Sequence, residues 1–281
     1  MGGKHRKGIW TVIFVLAFNL SPLLSQNVFI LTKNVNYFSP GLADDHFNNA
    51  LVHFNSGNTK SAIEEYEKSI FYHPGHTSSL LNLALISSEK GENGMAVNYI
   101  ETALSIEPEN PTAHFNLGVI YQKMGRLDEA KTSYESALKY NELMVEAYSN
   151  LGRVYELKGL NGEAEENYRK ALEIKPDYQV ALLNVGVILL IQEKYLESLI
   201  YLQKLTDLDP SYESAYYYAA VDYYFLGDYM SAWHNVHLAS KLKFSTDNEF
   251  LRALSSKLPE PENIGEALNT SLSFNLRNLS N

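Results

Sequence analysis

Residues 43–246 repeat with a period of 34, and no other feature of the 281-residue chain constrains its fold as tightly. Laid out in rows of 34 from Ala43, they fill six rows: 43–76, 77–110, 111–144, 145–178, 179–212 and 213–246. No insertion or deletion disturbs the register. Position 8 of each row is Ala50, Ala84, Gly118, Gly152, Gly186 and Ala220. Position 15 is Gly57, Gly91, Gly125, Gly159, Glu193 and Gly227. Position 20 is Ala62, Ala96, Ala130, Ala164, Ser198 and Ala232, and position 32 is Pro74, Pro108, Glu142, Pro176, Pro210 and Phe244.

Each column has a physical reading. Small residues at positions 8 and 20 let two helices approach closely, and larger ones such as Tyr121 with Tyr134, or Tyr155 with Tyr168, fill the space between them. Glycine at position 15 suits a left-handed turn that stops the first helix. Proline at position 32 stops the second. Each row is therefore expected to be an antiparallel helical hairpin with about 14 residues per helix. One hairpin cannot bury both faces, whereas stacked neighbours can. The fold class that follows is an all-α solenoid.

The segments FNLGVIYQKMGRLDEAKTSYESALKY from Phe115 and SNLGRVYELKGLNGEAEENYRKALEIKP from Ser149 resemble the tetratricopeptide repeat family. The likeness covers residues 43–246. It is weaker in row 1, with His46, Asn49 and His53, and in row 5, with Glu193, Ser198, Leu202 and Leu205. The resemblance implies a right-handed superhelix with a concave groove lined by each row's first helix. It also places positions 2, 5, 6, 9, 12 and 13 on that groove.

Position 6 is then Asn48, Asn82, Asn116, Asn150 and Asn184, with Tyr218 closing the series. A carboxamide offers both an acceptor and donors, so it can pair with either group of an extended peptide backbone. A similar asparagine ladder holds peptides in the tetratricopeptide superhelix of O-GlcNAc transferase. The competing reading is structural: the same amides can bond to the adjacent row and fix the stacking angle. Apolar groove positions continue through Leu183 and Val187 to Tyr217, Tyr218, Val221 and Tyr224. Val180 to Ile191 has Asn184 as its only polar residue, so this helix is expected to be buried on all sides. Something should then cover the C-terminal half of the groove: a partner peptide, a second copy, or the chain's own tail, in that chain the first choice. The family's carboxylate clamp needs Lys and Arg in the groove of the first rows, where Asp44, Phe47, Leu51, Ser78, Thr112 and Asn116 stand instead.

The ends complete the organisation. Lys4, His5, Arg6 and Lys7, followed by the apolar run Ile9 to Leu20 and by Ser21-Pro22, have the layout of a secretory signal over 1–25. An uncleaved anchor is the alternative, and it would be the chain's one link to a membrane. Both readings place the rest of the chain across the inner membrane, as a periplasmic, envelope-associated or secreted protein. Residues 26–42 read as a linker. Asp247 is expected to cap a final helix carrying Phe250, Ala253, Leu254 and Leu258, with a tail beyond it in which Ile264, Leu268 and Leu272 recur every four residues.

Several chemistries find no support. A net charge of −10 argues against nucleic acid. With no cysteine, thiolate sites, disulfides and a lipidated N-terminal cysteine are excluded. No nucleotide, hydrolase or metalloprotease motif appears, so no cofactor and no catalytic residue is expected. His234 and His237 are three apart but have no third ligand tied to them by sequence, and no metal is expected. His46 and His53 fall on packing positions and are expected in the core. Glu64-Glu65 and Glu165-Glu166 read as solvated faces. The expected partner is a protein or an extended peptide, bound by a non-enzymatic scaffold. An assembly factor for an envelope machine is the alternative, because exported six-repeat pilotins of type IV pili are similar in size and architecture.

Overall fold

The computed structural model describes residues 38–262. The leader assigned to 1–25, most of the linker, and Ile264, Leu268 and Leu272 lie outside the described residues. Those residues form thirteen helices and, among them, no strand. They are α1 (Pro40–Asn55), α2 (Thr59–Tyr72), α3 (Thr77–Glu89), α4 (Asn93–Ile106), α5 (Pro111–Lys123), α6 (Leu127–Tyr140) and α7 (Val145–Leu157). There follow α8 (Asn161–Ile174), α9 (Gln179–Ile191), α10 (Tyr195–Leu208), α11 (Glu213–Phe225), α12 (Tyr229–Lys241) and α13 (Asn248–Lys257). The first helix starts at Pro40, so the linker read up to 42 yields three residues to it; proline at a helix start loses no hydrogen bond there.

The chain divides after Val154 into two compact units. In the first, α1 pairs with α2, α3 with α4 and α5 with α6, and each hairpin packs on the next. In the second, α9 pairs with α10 and α11 with α12, α8 packs on α9, and α13 closes against α12. This is an all-α solenoid of helical hairpins.

One turn recurs. After each first helix, the residue at position 16 donates its N–H five residues back: Asn58 to His53 O (2.9 Å), Arg126 to Tyr121 O (2.8 Å) and Asp228 to Tyr223 O (2.9 Å) are examples. This is the Schellman closure, and it requires a left-handed residue at position 15. Five rows supply glycine with φ between 73° and 82°. Row 5 supplies Glu193, which adopts φ 61° all the same, with Lys194 N donating to Leu189 O at 2.8 Å. The tertiary packing therefore imposes the turn on a residue that resists it.

Proline at position 32 is less decisive. In row 3, where Glu142 replaces it, α6 still ends at Tyr140 with Asn141 N donating to Ala137 O. The small residue at position 8 makes room, as expected, for a large one on the second helix. A Cβ added at Gly118 would lie 2.6 Å from Cε1 of Tyr134, and one at Gly186 would lie 2.8 Å from Cδ2 of Leu202. Position 8 is small because the large residue at position 24 sits on it. Tyr66, Tyr134, Leu80 and Ile100 are fully buried in the first unit, and Tyr168, Leu182, Ile188 and Leu202 in the second.

Candidate peptide-binding surface

In the first unit the four asparagines at position 6 are not equivalent. Asn48 is exposed on α1. Asn82 turns its amide back to Ser78 O of its own helix, at 2.8 Å. Asn150 bonds to the hydroxyl of Tyr134 on the preceding helix α6. That hydroxyl also donates to Gln122 Oε1 at 2.9 Å, and burial holds the phenol well above its usual range. Asn116 is half-buried and makes no side-chain hydrogen bond among the described residues. The cause is legible in the repeat. Position 24 of the preceding row is Tyr134 for Asn150 but Ile100 for Asn116, so Asn116 has no hydroxyl to meet. Asn150 serves the stacking of its row, while Asn116 leaves its amide unengaged among the described residues.

In the second unit, α9 presents Leu183, Asn184 and Val187 half-buried, and α11 presents Tyr217, Tyr218, Val221 and Tyr224 half-buried. Leu183 and Tyr218 rest against one core cluster with Leu182, Leu202, Leu205 and Ala215. Tyr217 and Tyr224 meet a different neighbour. The ring of Phe250 on α13 lies 5.8 Å from Tyr217 and 5.7 Å from Tyr224, and Phe244 lies 5.1 Å from Tyr217. The capping helix thus takes part of the aromatic surface for itself. Asp247 caps it as expected, accepting from Glu249 N at 3.1 Å, and Leu254 is fully buried beneath it. Leu183, Asn184, Val187, Tyr218 and Val221 remain outside that contact.

The expectation that α9 is buried on all sides does not hold. Val180 is 45% exposed and Ile191 59% exposed. Leu182, Val185, Ile188 and Leu189 take the inward positions, and nothing in the described residues covers the rest. Apolar sequence on every side of a helix marks burial only where a neighbour exists for every side.

Other residues also differ from their sequence reading. His46 is half-buried rather than core: Nδ1 lies 2.7 Å from Glu65 Oε2, and the ring stacks on Tyr72. His53 is half-buried as well. Glu65 and Glu165 are not solvated. Lys68 and His46 hold the Glu65 carboxyl below its usual range against the opposing effect of burial. Arg169 and Gln192 do the same for Glu165, and Arg169 also reaches Glu197 at 2.6 Å. His237 pairs with Glu260 at 2.8 Å. Among the described residues no group of three His, Asp or Glu side chains could hold a metal ion, and no helix is long and apolar enough to cross a membrane.

One polar cluster was not anticipated. Asp222 on α11 is fully buried, and its Oδ2 lies 2.6 Å from Ser198 Oγ on α10. Ser198 Oγ is also 2.9 Å from Gly186 O on α9, and Asp222 Oδ1 has no partner. One hydroxyl proton cannot serve two acceptors. Both contacts are satisfied together when Asp222 is protonated and donates to Ser198, which in turn donates to Gly186 O. Burial agrees, pushing this carboxyl up to about 7. The signal in the sequence was Ser198 itself, a hydroxyl in a column of alanines.

Comparison with known proteins identifies the repeat. Sequence models described as "Tetratricopeptide repeat" and "TPR repeat" match residues 109–177 and 87–125. No curated protein matches the chain in sequence. Among solved structures, pilF of Pseudomonas aeruginosa is similar with a TM-score of 0.67 and 18% identity, covering 76% of this chain and 97% of that one. PilW, described as a widely conserved type IV pilus biogenesis factor, has a TM-score of 0.65 and 17% identity, covering 76% and 100%. YrrB, described as a TPR protein with an unusual peptide-binding site, has a TM-score of 0.56 and 22% identity, covering 68% and 97%. These likenesses are of fold. The stretch 87–177 thus matches tetratricopeptide repeats in sequence, and the same 34-residue period and helical hairpins continue on either side of it.

Proposed function

We propose that the chain is an exported, non-enzymatic scaffold of six tetratricopeptide repeats. It binds a protein or extended peptide along the concave face of its first helices. The observation that carries this reading is the surface of α9 and α11: Leu183, Val187, Tyr218 and Val221 stand half-exposed beside Asn184. Apolar and aromatic anchors around a polar amide are the composition of a recognition surface. Asn116 adds a second unengaged amide in the first unit. YrrB, similar in fold, carries a peptide-binding site by its own description. The basic start and apolar run of the N-terminus support export.

The test is capture of partners from an envelope fraction by the purified protein, against the V187E/V221E variant. Both side chains are half-exposed, so the variant should retain its helical circular dichroism. Partners retained by the wild type and lost by the variant support the reading. Equal capture by both would place recognition elsewhere.

A second reading is an assembly factor for a pilus or secretion machine, one that docks a single component. The fold likeness to pilF and PilW over 76% of the chain favours it. The absence of cysteine removes the lipid attachment usual for pilotins. Deleting the gene and scoring surface pili separates the two: normal piliation would leave the general scaffold.

A further inference from the structure

The outer side of α10 carries an unexplained apolar patch. Leu196 is 69% exposed and Ile200 65% exposed, one turn apart on the same stripe. They occupy positions 18 and 22 of row 5. In rows 1, 3 and 4 those positions hold Lys60 and Glu64, Asp128 and Thr132, and Gly162 and Glu166. Row 2 has Gly94 and Asn98, and row 6 has Met230 and His234, both half-buried, so row 5 alone has an aliphatic residue at both positions. Two exposed aliphatic residues one turn apart, on the side of α10 opposite buried Leu202 and Leu205, form an apolar patch that a covering segment would remove from water.

The place where the described chain ends names a candidate. Trp233 Nε1 on α12 donates to Leu258 O at 2.9 Å, and His237, one turn on, pairs with Glu260. Both contacts hold the chain against the side of α12. Pro259 and Pro261 keep it extended there. α10 and α12 both pack on α11. Two such neighbours lie no more than about 20 Å apart, since packed helices sit 8–10 Å from one another. Extended chain from Leu258 to Ile264 spans about 20 Å. The first apolar side chains to follow, Ile264, Leu268 and Leu272, are spaced four apart, as are Leu196 and Ile200.

We infer that the C-terminal segment 263–281 docks on the outer face of α10, with Ile264, Leu268 and Leu272 covering Leu196 and Ile200. The first-helix surface is then left open to a ligand. This departs from the sequence expectation of a tail inside the groove, because the chain leaves α13 on the α12 side. The inference does not depend on what binds the first helices.

The absence of native cysteine makes a direct test possible in the full chain. Ile200→Cys is paired in turn with Cys at 264, 268 and 272, and Val187→Cys on the first-helix face is paired with the same three. Under mild oxidation, an intramolecular disulfide in at least one Ile200 pair and in no Val187 pair is expected, since a disulfide needs Cα atoms within about 7 Å. Crosslinks from Val187 would put the tail in the groove and overturn the inference. So would a disulfide-linked dimer, which would make a second copy the occupant, or no disulfide in any pair. As a second readout, maleimide labelling of the single Ile200→Cys variant should speed up at least about tenfold when Ile264, Leu268 and Leu272 are all changed to Ser, because the tethered segment is then released. An unchanged rate contradicts the docking.

Discussion

Asp222→Asn tests the reading of the buried polar cluster, and the sign of its effect depends on pH. The native carboxyl titrates at about 7, against about 3.9 for an unfolded aspartate. Between these values the folded chain keeps a proton that the unfolded chain has released. Stability therefore falls as pH rises from about 4 to about 7, and is level above. Three pKa units correspond to at most about 4 kcal/mol. Ionisation would leave Asp222 Oδ1 charged and unpartnered, and would make it compete with Gly186 O for the Ser198 proton. Asparagine cannot ionise, and its amide donates to Ser198 Oγ as the protonated acid does. The variant should thus be more stable than wild type by about 2–4 kcal/mol at pH 8 and nearly equal at pH 4. Urea titrations followed by fluorescence of Trp233, which is buried on α12 in the same unit, report the relevant segment. Curves for wild type and variant that run parallel from pH 4 to pH 8 would refute both the protonated pair and its buried cost.

Three further outcomes follow from the repeat geometry. Glu193→Gly should raise stability by about 1 kcal/mol in thermal or urea unfolding, because the left-handed turn at φ 61° is free only to glycine. Asn150→Ala should lose about 1 kcal/mol through its bond to the buried Tyr134 hydroxyl, while Asn116→Ala should change stability by less than about 0.5 kcal/mol; the reverse order would contradict the assignment of the two amides. Gly118→Ala should lose about 1–2 kcal/mol although alanine favours helix, since its Cβ would strike the buried Tyr134 ring, and adding Tyr134→Leu should recover part of the loss.

Fold class was legible because the period of 34 survives in residues that each have one job: glycine at the turn, alanine between helices, tyrosine over the small residue. Where a column was broken, the neighbouring columns still held the backbone in place, as at Glu193 and Glu142. The binding surface was less legible, for a physical reason. Its residues are defined by what remains uncovered, and coverage depends on elements outside their own row. Asn150 and Asn116 look alike in sequence; the residue that separates them stands one row back. Tyr217 and Tyr224 look like open groove until Phe250 arrives from α13. Asp222 gave no periodic signal, because its importance lies in a pairing with Ser198 across two helices.

Site-specific photo-crosslinking in cells tests the central claim most directly, with a benzophenone side chain at Val187 on the first-helix face of α9 and, in a separate strain, at Thr132 on the exposed side of α6. The account predicts a discrete protein or peptide adduct from position 187 and none from position 132. An adduct from 132 alone, or no adduct from 187 in cells that make the folded protein, would contradict it.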